Sequence, residues 1–329
     1  MRSLSFARAI NEALRQTLAA DESVYLIGQG VTSPWYVGST TAGLVDKFGT
    51  KRVIDTPVSE NGVTGVAIGS ALAGMRPVLV FPRMDFMYYA MDQIANNAAN
   101  WRYMFGGRAH VSLTLWGIVN RGGEQAAQHA QAIQAMFAHI PGLKVVMPSG
   151  AYDAKGLLVA AIWDDDPVVY VDDRWLYDEV EEVPEELYAV PIGQGVVRKP
   201  GRDVTMVATS YMARLAGKAA DALEKEGISA EVIDLRSLKP LDEAVIIKSV
   251  TKTGRLVVAD GGWSTCGAAA EVAARVAEKA FSALKAPVRR VTLPDAPAPA
   301  SSALEKVYYP GVESLVQAAR GVFRGPAAQ

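Results

Sequence analysis

Short apolar runs recur between residues 24 and 171, separated by stretches in which apolar positions return every three or four residues. The runs at 24–27, 52–54, 78–81, 111–115, 144–147 and 168–171 read as buried strands. The stretches 63–73, 90–101, 125–137 and 151–163 read as helices, and Leu4, Ala7, Ile10 and Leu14 place one more helix ahead of the first strand. Strands alternating with helices predict a parallel sheet covered on both faces. The pattern breaks over 178–186, where six of nine residues are acidic and Pro184 interrupts them, so a solvated connector is expected there. A second alternating set follows: strands at 204–208, 230–235 and 256–260, and helices at 212–225, 242–250 and 266–283. Pro294, Pro297 and Pro299 mark an extended crossing segment. The expectation is α/β throughout: a first domain over 1–175, an acidic linker over 176–200, a smaller α/β domain over 201–324 and a loose tail over 325–329.

Composition narrows the function classes. With 329 residues the chain holds about two domains at roughly 150 residues each. Thirty-three basic against 35 acidic residues leave a charge of −2, which gives no electrostatic case for nucleic acid. No apolar stretch approaches the roughly 20 residues a membrane span needs. The single cysteine, Cys266, excludes an intrachain disulfide and thiolate-cluster zinc, and suits a reducing compartment. The sequence therefore reads as that of a cytoplasmic protein without a cleaved organellar leader.

Several residues invite a chemical reading, each with a plainer one beside it. Gly28-Gln29-Gly30 follows a strand but lacks the helix-opening third glycine of a dinucleotide fingerprint, since Ser33 stands there. The glycines of 261–267 lack the Lys-Ser/Thr pair of a phosphate loop, and turn geometry accounts for them. Asp164, Asp165 and Asp166 form a carboxylate cluster at a helix C-terminus, where a cation or a partner nitrogen is needed unless the turn is solvated. His110 and His139 are assigned structural roles. His129 lies in a glycine-rich, polar approach to a helix that buries Ile133, Met136 and Phe137, which puts an imidazole at the mouth of a site. Glu60 stands between a strand and an almost uncharged helix. A favourable helix-dipole interaction of about 0.3 to 1 kcal/mol is one reason for it, and ligand binding at the strand ends of a parallel sheet is the other.

The blocks 54–81, 90–107, 126–131, 139–158 and 231–242, in that order, decide between these readings. Together they resemble the beta chain of the decarboxylating component of thiamine-diphosphate-dependent 2-oxo acid dehydrogenases, the pyruvate, branched-chain and acetoin group. The resemblance covers nearly the whole chain. It implies a transketolase-like pyrimidine-binding domain followed by a transketolase C-terminal-like domain. It also implies a heterotetramer of two alpha and two beta chains, with a lipoyl-bearing acyltransferase as a further partner. In that family the diphosphate and Mg2+ are carried by the alpha chain through a Gly-Asp-Gly motif with a downstream asparagine. Here the comparable run is Asp260-Gly261-Gly262, so the chain alone is expected to be inactive.

By resemblance, Glu60 meets a pyrimidine ring nitrogen, a role asking for a carboxyl that shares its proton near neutral pH, as desolvation against an apolar cofactor favours. Phe86 matches the aromatic on the pyrimidine face, with Tyr89 lining the same wall, and His129 matches the histidine acting as general acid on the way to acyl transfer. Two departures stand out: Ala130 follows the histidine where the family usually has serine, and the loop over 117–131 is divergent. They keep open a split, transketolase-like carboligase or acyl-transfer enzyme that meets no lipoyl acceptor. A non-catalytic assembly subunit is a further alternative, opposed by the joint presence of Glu60, Phe86 and His129. Arg83 has two roles open to it, meeting a substrate carboxylate or phosphate, or pairing with Asp85 or a partner chain. Asp164 and Asp166 align with positions that help hold a monovalent cation in some members, and no metal is assigned.

Overall fold

Residues 2–324 are described by a computed structural model, in which the apolar runs become the strands of two separate sheets. The expected tail over 325–329 lies outside the described residues. The chain divides into two units, 2–121 with 128–192 and 122–127 with 193–324.

The first unit contains β1 (Arg2–Ser5), α1 (Phe6–Ala20), β2 (Val24–Gly28), α2 (Leu44–Phe48), β3 (Val53–Asp55), α3 (Glu60–Leu72) and β4 (Arg76–Phe81). A 3-10 helix (Met84–Ala90), a π-helix (Asp92–Ala98), α4 (Trp101–Met104), β5 (Thr114–Val119), α5 (Gln134–His139), β6 (Lys144–Val146), α6 (Ala151–Ile162), β7 (Val168–Asp173) and β8 (Val180–Val183) complete it. Its main sheet runs β6-β7-β5-β4-β2-β3, and every neighbouring pair in that order is parallel. All residues of β2, β5 and β7 are buried, as strands covered on both faces must be, which is why they read as unbroken apolar runs. α1 packs on α6 and buries Ile10, Leu14 and Leu18; of the expected stripe, Ile10 and Leu14 are buried here, while Leu4 lies in β1.

Three expectations are corrected here. The helix expected over 90–101 is a π-helix flanked by short turns, and Asn100 Nδ2 donates to the Ala95 carbonyl at 3.0 Å; amide side chains that compete for backbone carbonyls disfavour a regular helix. The helix expected over 125–137 shrinks to α5, because Gly122, Gly123, Glu124 and Ala126 all adopt left-handed φ and hold the segment ahead of it as a loop. The acidic stretch holds a strand that was not expected: β8 pairs antiparallel with β1, Arg2 opposite Val183, while Asp178, Glu182, Glu185 and Glu186 stay exposed. Behind it the fully buried Lys155 extends Nζ to Glu12 Oε1 at 2.7 Å and to the carbonyls of Pro184, Glu185 and Glu186. Charge counting misses this because the burying partner comes from α6, some 30 residues upstream.

The second unit contains β9 (Val196–Lys199), β10 (Val204–Ala208), α7 (Ser210–Glu224), β11 (Ala230–Asp234), β12 (Ser237–Lys239), α8 (Glu243–Thr253), β13 (Leu256–Trp263), α9 (Ala268–Ala280), β14 (Arg289–Leu293), α10 (Ser302–Tyr308) and α11 (Val312–Arg324). Its sheet order is β14-β13-β10-β11-β9, parallel except for the antiparallel edge strand β9. α7 and α11 share one apolar core, built on Leu215, Ala219, Leu315 and Ala319; α8 and α9 share the other, built on Ile246, Val250, Val272 and Val276. Among the described residues no helix is long and apolar enough to cross a membrane.

Candidate active site

In the first unit the chain leaves β2 for β3 on one side and returns to β4 on the other. This reversal opens a crevice at the carboxyl ends of β2 and β4, the place where ligands settle on open parallel sheets. The crevice is lined by Gly28, Gln29, Thr56, Glu60, Val80 and Phe81, among others. A Cβ on Gly28 would fall 2.6 Å from the Val80 carbonyl oxygen, so only glycine lets the two strands converge at its floor. The neighbouring Gly30 donates its amide to Asp55 Oδ1 at 2.8 Å, and Thr32 donates to Asp55 Oδ2 at 2.6 Å. The Gly28-Gln29-Gly30 run thus serves strand convergence and loop anchoring.

Glu60 opens α3 at this crevice, half-buried, at the positive end of the helix dipole. Its carbonyl accepts from Thr64 Oγ1 at 2.7 Å, while its carboxylate has no side-chain partner among the described residues. The 3-10 helix Met84–Ala90 packs against α3. Its Met84 and Met87 are fully buried on β5, where a Cβ on Gly117 would meet Met87 Sδ at 2.7 Å. The same turn presents the half-buried Phe86, whose ring centroid lies 5.3 Å from that of His129 with an interplanar angle of 85°. Phe86 and His129 are therefore in direct contact. Tyr89, expected on the same wall, is 70% exposed, and no ring contact joins it to either residue among the described ones.

Sequence reasoning passed over what holds His129. Gln131, two residues on, gives its amide to Asp85 Oδ1 at 3.1 Å and accepts from the Tyr88 hydroxyl at Oε1, 3.2 Å. Asp85 is buried, and burial pushes its carboxyl above the usual range. An aspartate within an apolar run was the only signal available. Arg83 donates from Nη1 to the Pro82 carbonyl at 2.8 Å; burial lowers the basicity of its guanidinium, and the like charge of Arg174 acts in the same direction.

The Asp164–Asp166 cluster meets partner nitrogens. Lys144 Nζ lies 2.7 Å from both Asp164 oxygens, Arg76 Nη2 lies 2.8 Å from Asp165, and Arg102 pairs with Asp166. His110 reaches Asp165 only at 4.0 Å, and His139 closes α5. At the ends of β5 and β7, Arg121 pairs with Asp173 in the interior. Next to it, complete burial raises the Asp172 carboxyl to about 7 although the Tyr177 hydroxyl donates to it at 2.9 Å.

The crevice combines apolar and hydrogen-bonding groups. It offers apolar walls from Val63, Leu79 and Phe81 and one carboxylate without a partner, able to accept from a ring N–H. None of its lining side chains is cationic, so a diphosphate tail finds no counter-charge there.

Both halves of the chain are similar to known proteins. Residues 2–179 match the family described as transketolase, pyrimidine binding domain, and residues 193–315 match transketolase, C-terminal domain. The chain is 44% identical to the acetoin:2,6-dichlorophenolindophenol oxidoreductase subunit beta of Cupriavidus necator, covering 98% of each chain. It is 43% identical to the mitochondrial pyruvate dehydrogenase E1 component subunit beta-2 of Oryza sativa, over 97% of this chain and 86% of the relative. A solved split gene transketolase, in an inactive beta4 tetramer, superimposes with a TM-score of 0.78 at 23% identity over 98% of both chains, a likeness of fold. At this identity over nearly full length, with both domains matched, the chain belongs to the family of beta subunits of thiamine-diphosphate-dependent 2-oxo acid dehydrogenases, the pyruvate and acetoin dehydrogenase group.

Proposed function

We propose that this beta subunit holds the pyrimidine half of thiamine diphosphate in the crevice at Glu60, and that an alpha subunit completes the site with the diphosphate and Mg2+. The assembled enzyme, two alpha and two beta chains, oxidatively decarboxylates a 2-oxo acid and passes the acyl group to a lipoyl carrier. The observation that carries this reading is the half-buried Glu60 carboxylate, without a side-chain partner, in a crevice whose lining has no cation. When bound, thiamine diphosphate supplies the carbon nucleophile and the electron sink for cleaving the bond beside the ketone.

This chain's residues contribute position and protons. The Glu60 carboxyl accepts the ring N–H and shares its proton. Phe86, Val63 and Phe81 exclude water and fix the ring by contact, which strengthens that hydrogen bond by lowering the local dielectric. The His129 imidazole, held edge-on to Phe86, delivers a proton to the substrate-derived oxygen as charge develops there. Tyr89, exposed on this chain, faces the alpha subunit or the entering carrier.

The test is reconstitution with an alpha subunit carrying a Gly-Asp-Gly motif. Calorimetry should find thiamine diphosphate bound by the mixture and not by this chain alone, with carbon dioxide released from a 2-oxo acid and turnover accelerated by a lipoylated domain. Tight cofactor binding by the isolated chain would refute the shared site.

A further inference from the structure

His129 lies in a turn without regular secondary structure, yet three groups of one short helix grip that turn. Phe86 touches the imidazole, the Tyr88 hydroxyl reaches Gln131 Oε1, and Asp85 Oδ1 accepts the Gln131 amide. Of the three, Asp85 is the one the fold least explains. It is 4% exposed, and its second oxygen, Oδ2, is buried with no hydrogen-bond partner among the described residues. Buried carboxylate oxygens are almost always paired, and an orphan beside a site residue points to a role in the chemistry.

The groups facing Asp85 are few. From its own helix comes the Tyr88 hydroxyl, from the end of β4 comes Arg83, and from the opposed turn come His129 and the Gln131 amide. Burial favours the neutral carboxyl; the Gln131 amide and the imidazole favour the charged one. Arg83 also faces the like-charged Arg174, with Tyr36 and Tyr177 nearby.

We propose that Asp85 is the positioning residue for His129: it fixes the turn through the Gln131 amide and sets the negative charge against which the imidazole carries its proton. This rests on His129 being the proton donor of the reaction. Asp85 touches neither cofactor nor substrate. It acts through the imidazole and the turn that carries it.

The test follows the His129 ring by NMR in the full chain, with only three histidines to resolve and His129→Gln to assign the signal. Asp85→Asn keeps an acceptor for the Gln131 amide and removes the charge. The His129 titration midpoint should fall by about half a pH unit or more, and the alkaline limb of kcat in the reconstituted enzyme should move down with it while KM stays within about twofold. Asp85→Glu should restore most of the shift. Tyr88→Phe loosens the same turn without removing charge and should leave the midpoint in place. An unchanged midpoint in folded Asp85→Asn overturns the proposal, as does an equal shift in Tyr88→Phe. If Asp85→Asn fails to fold, the wild-type chain decides: the Asp85 carboxyl carbon and the His129 ring should titrate in two shared steps, and independent single-step curves overturn the proposal. Full turnover by His129→Gln would instead sink the reading of the site on which this rests.

Discussion

Glu60 and His129 occupy opposite kinds of scaffold within one unit. Glu60 opens a thirteen-residue helix that rises from the reversal point of a parallel sheet, so helix, strand ends and the Gly28 convergence all fix it. His129 hangs in a turn whose approach passes through four left-handed residues, two of them not glycine, and it is placed by side chains from a distant helix. The difference separates two demands. A group that accepts a hydrogen bond from a bound ring gains from rigidity, whereas a group that must meet both a substrate and an arriving carrier sits where local contacts can be tuned without disturbing the sheet.

The largest expected effect falls on the rigid side. Glu60→Gln should lower turnover of the assembled enzyme by about 10³-fold, within the range for losing a positioned acid or base, while the melting temperature of the chain stays put. A variant that turns over normally breaks the comparison at its root. His129→Gln should cost less, about 10²-fold, with carbon dioxide release itself slowed when rapid-quench kinetics separate it from the later step.

Two smaller effects probe the scaffold. Asp172, at the end of β7, holds its proton up to about pH 7 in the folded chain, against 3.8 as its ordinary value. Between those values the folded state binds a proton that the unfolded state has released, so stability should decline as pH rises from about 4 to 7 and level off above. Asp172→Asn should flatten that decline and raise the melting temperature at pH 8 by a few degrees, about 2–4 °C per kcal/mol for a chain of this class. Scanning calorimetry across pH checks both. Smallest is Ala126→Gly, which relieves the left-handed alanine at φ 59°. It should stabilise by no more than about 1 kcal/mol, offset by the added freedom of the unfolded chain, and leave turnover within about twofold. A larger fall in rate would show that the His129 turn needs the strain.

What could be read from the sequence follows the same divide. The buried strands announce themselves because parallel sheets demand unbroken apolar runs, and α3 does so through a nearly uncharged segment between strand and turn. Glu60 was legible as a strand-end carboxylate, and family resemblance supplied its meaning. Gln125, Ala126 and Ala127 favour a helix locally, but Glu124 and Ala126 adopt left-handed φ, and the Glu124 amide donates to Glu305 Oε1, a residue no local window of sequence contains. Asp85 was seen as a salt-bridge candidate for Arg83. Only burial, 4% exposure with one oxygen orphaned, gives it another weight. The second unit's β9 and β14 escaped notice because edge strands alternate weakly and carry charge, as Arg198, Lys199, Arg289 and Arg290 do.

The ammonium of Lys155 bears on how this protein can be dissected. A recombinant piece ending at Leu176, where the run of acids invites the cut, would discard the carbonyls of 184–186 and leave that cation in the interior with Glu12 alone. Stranding it so costs several kcal/mol, enough to unfold a marginal fragment. A fragment of the first unit that keeps this cation paired must therefore run past Glu186, carrying its own fastening with it.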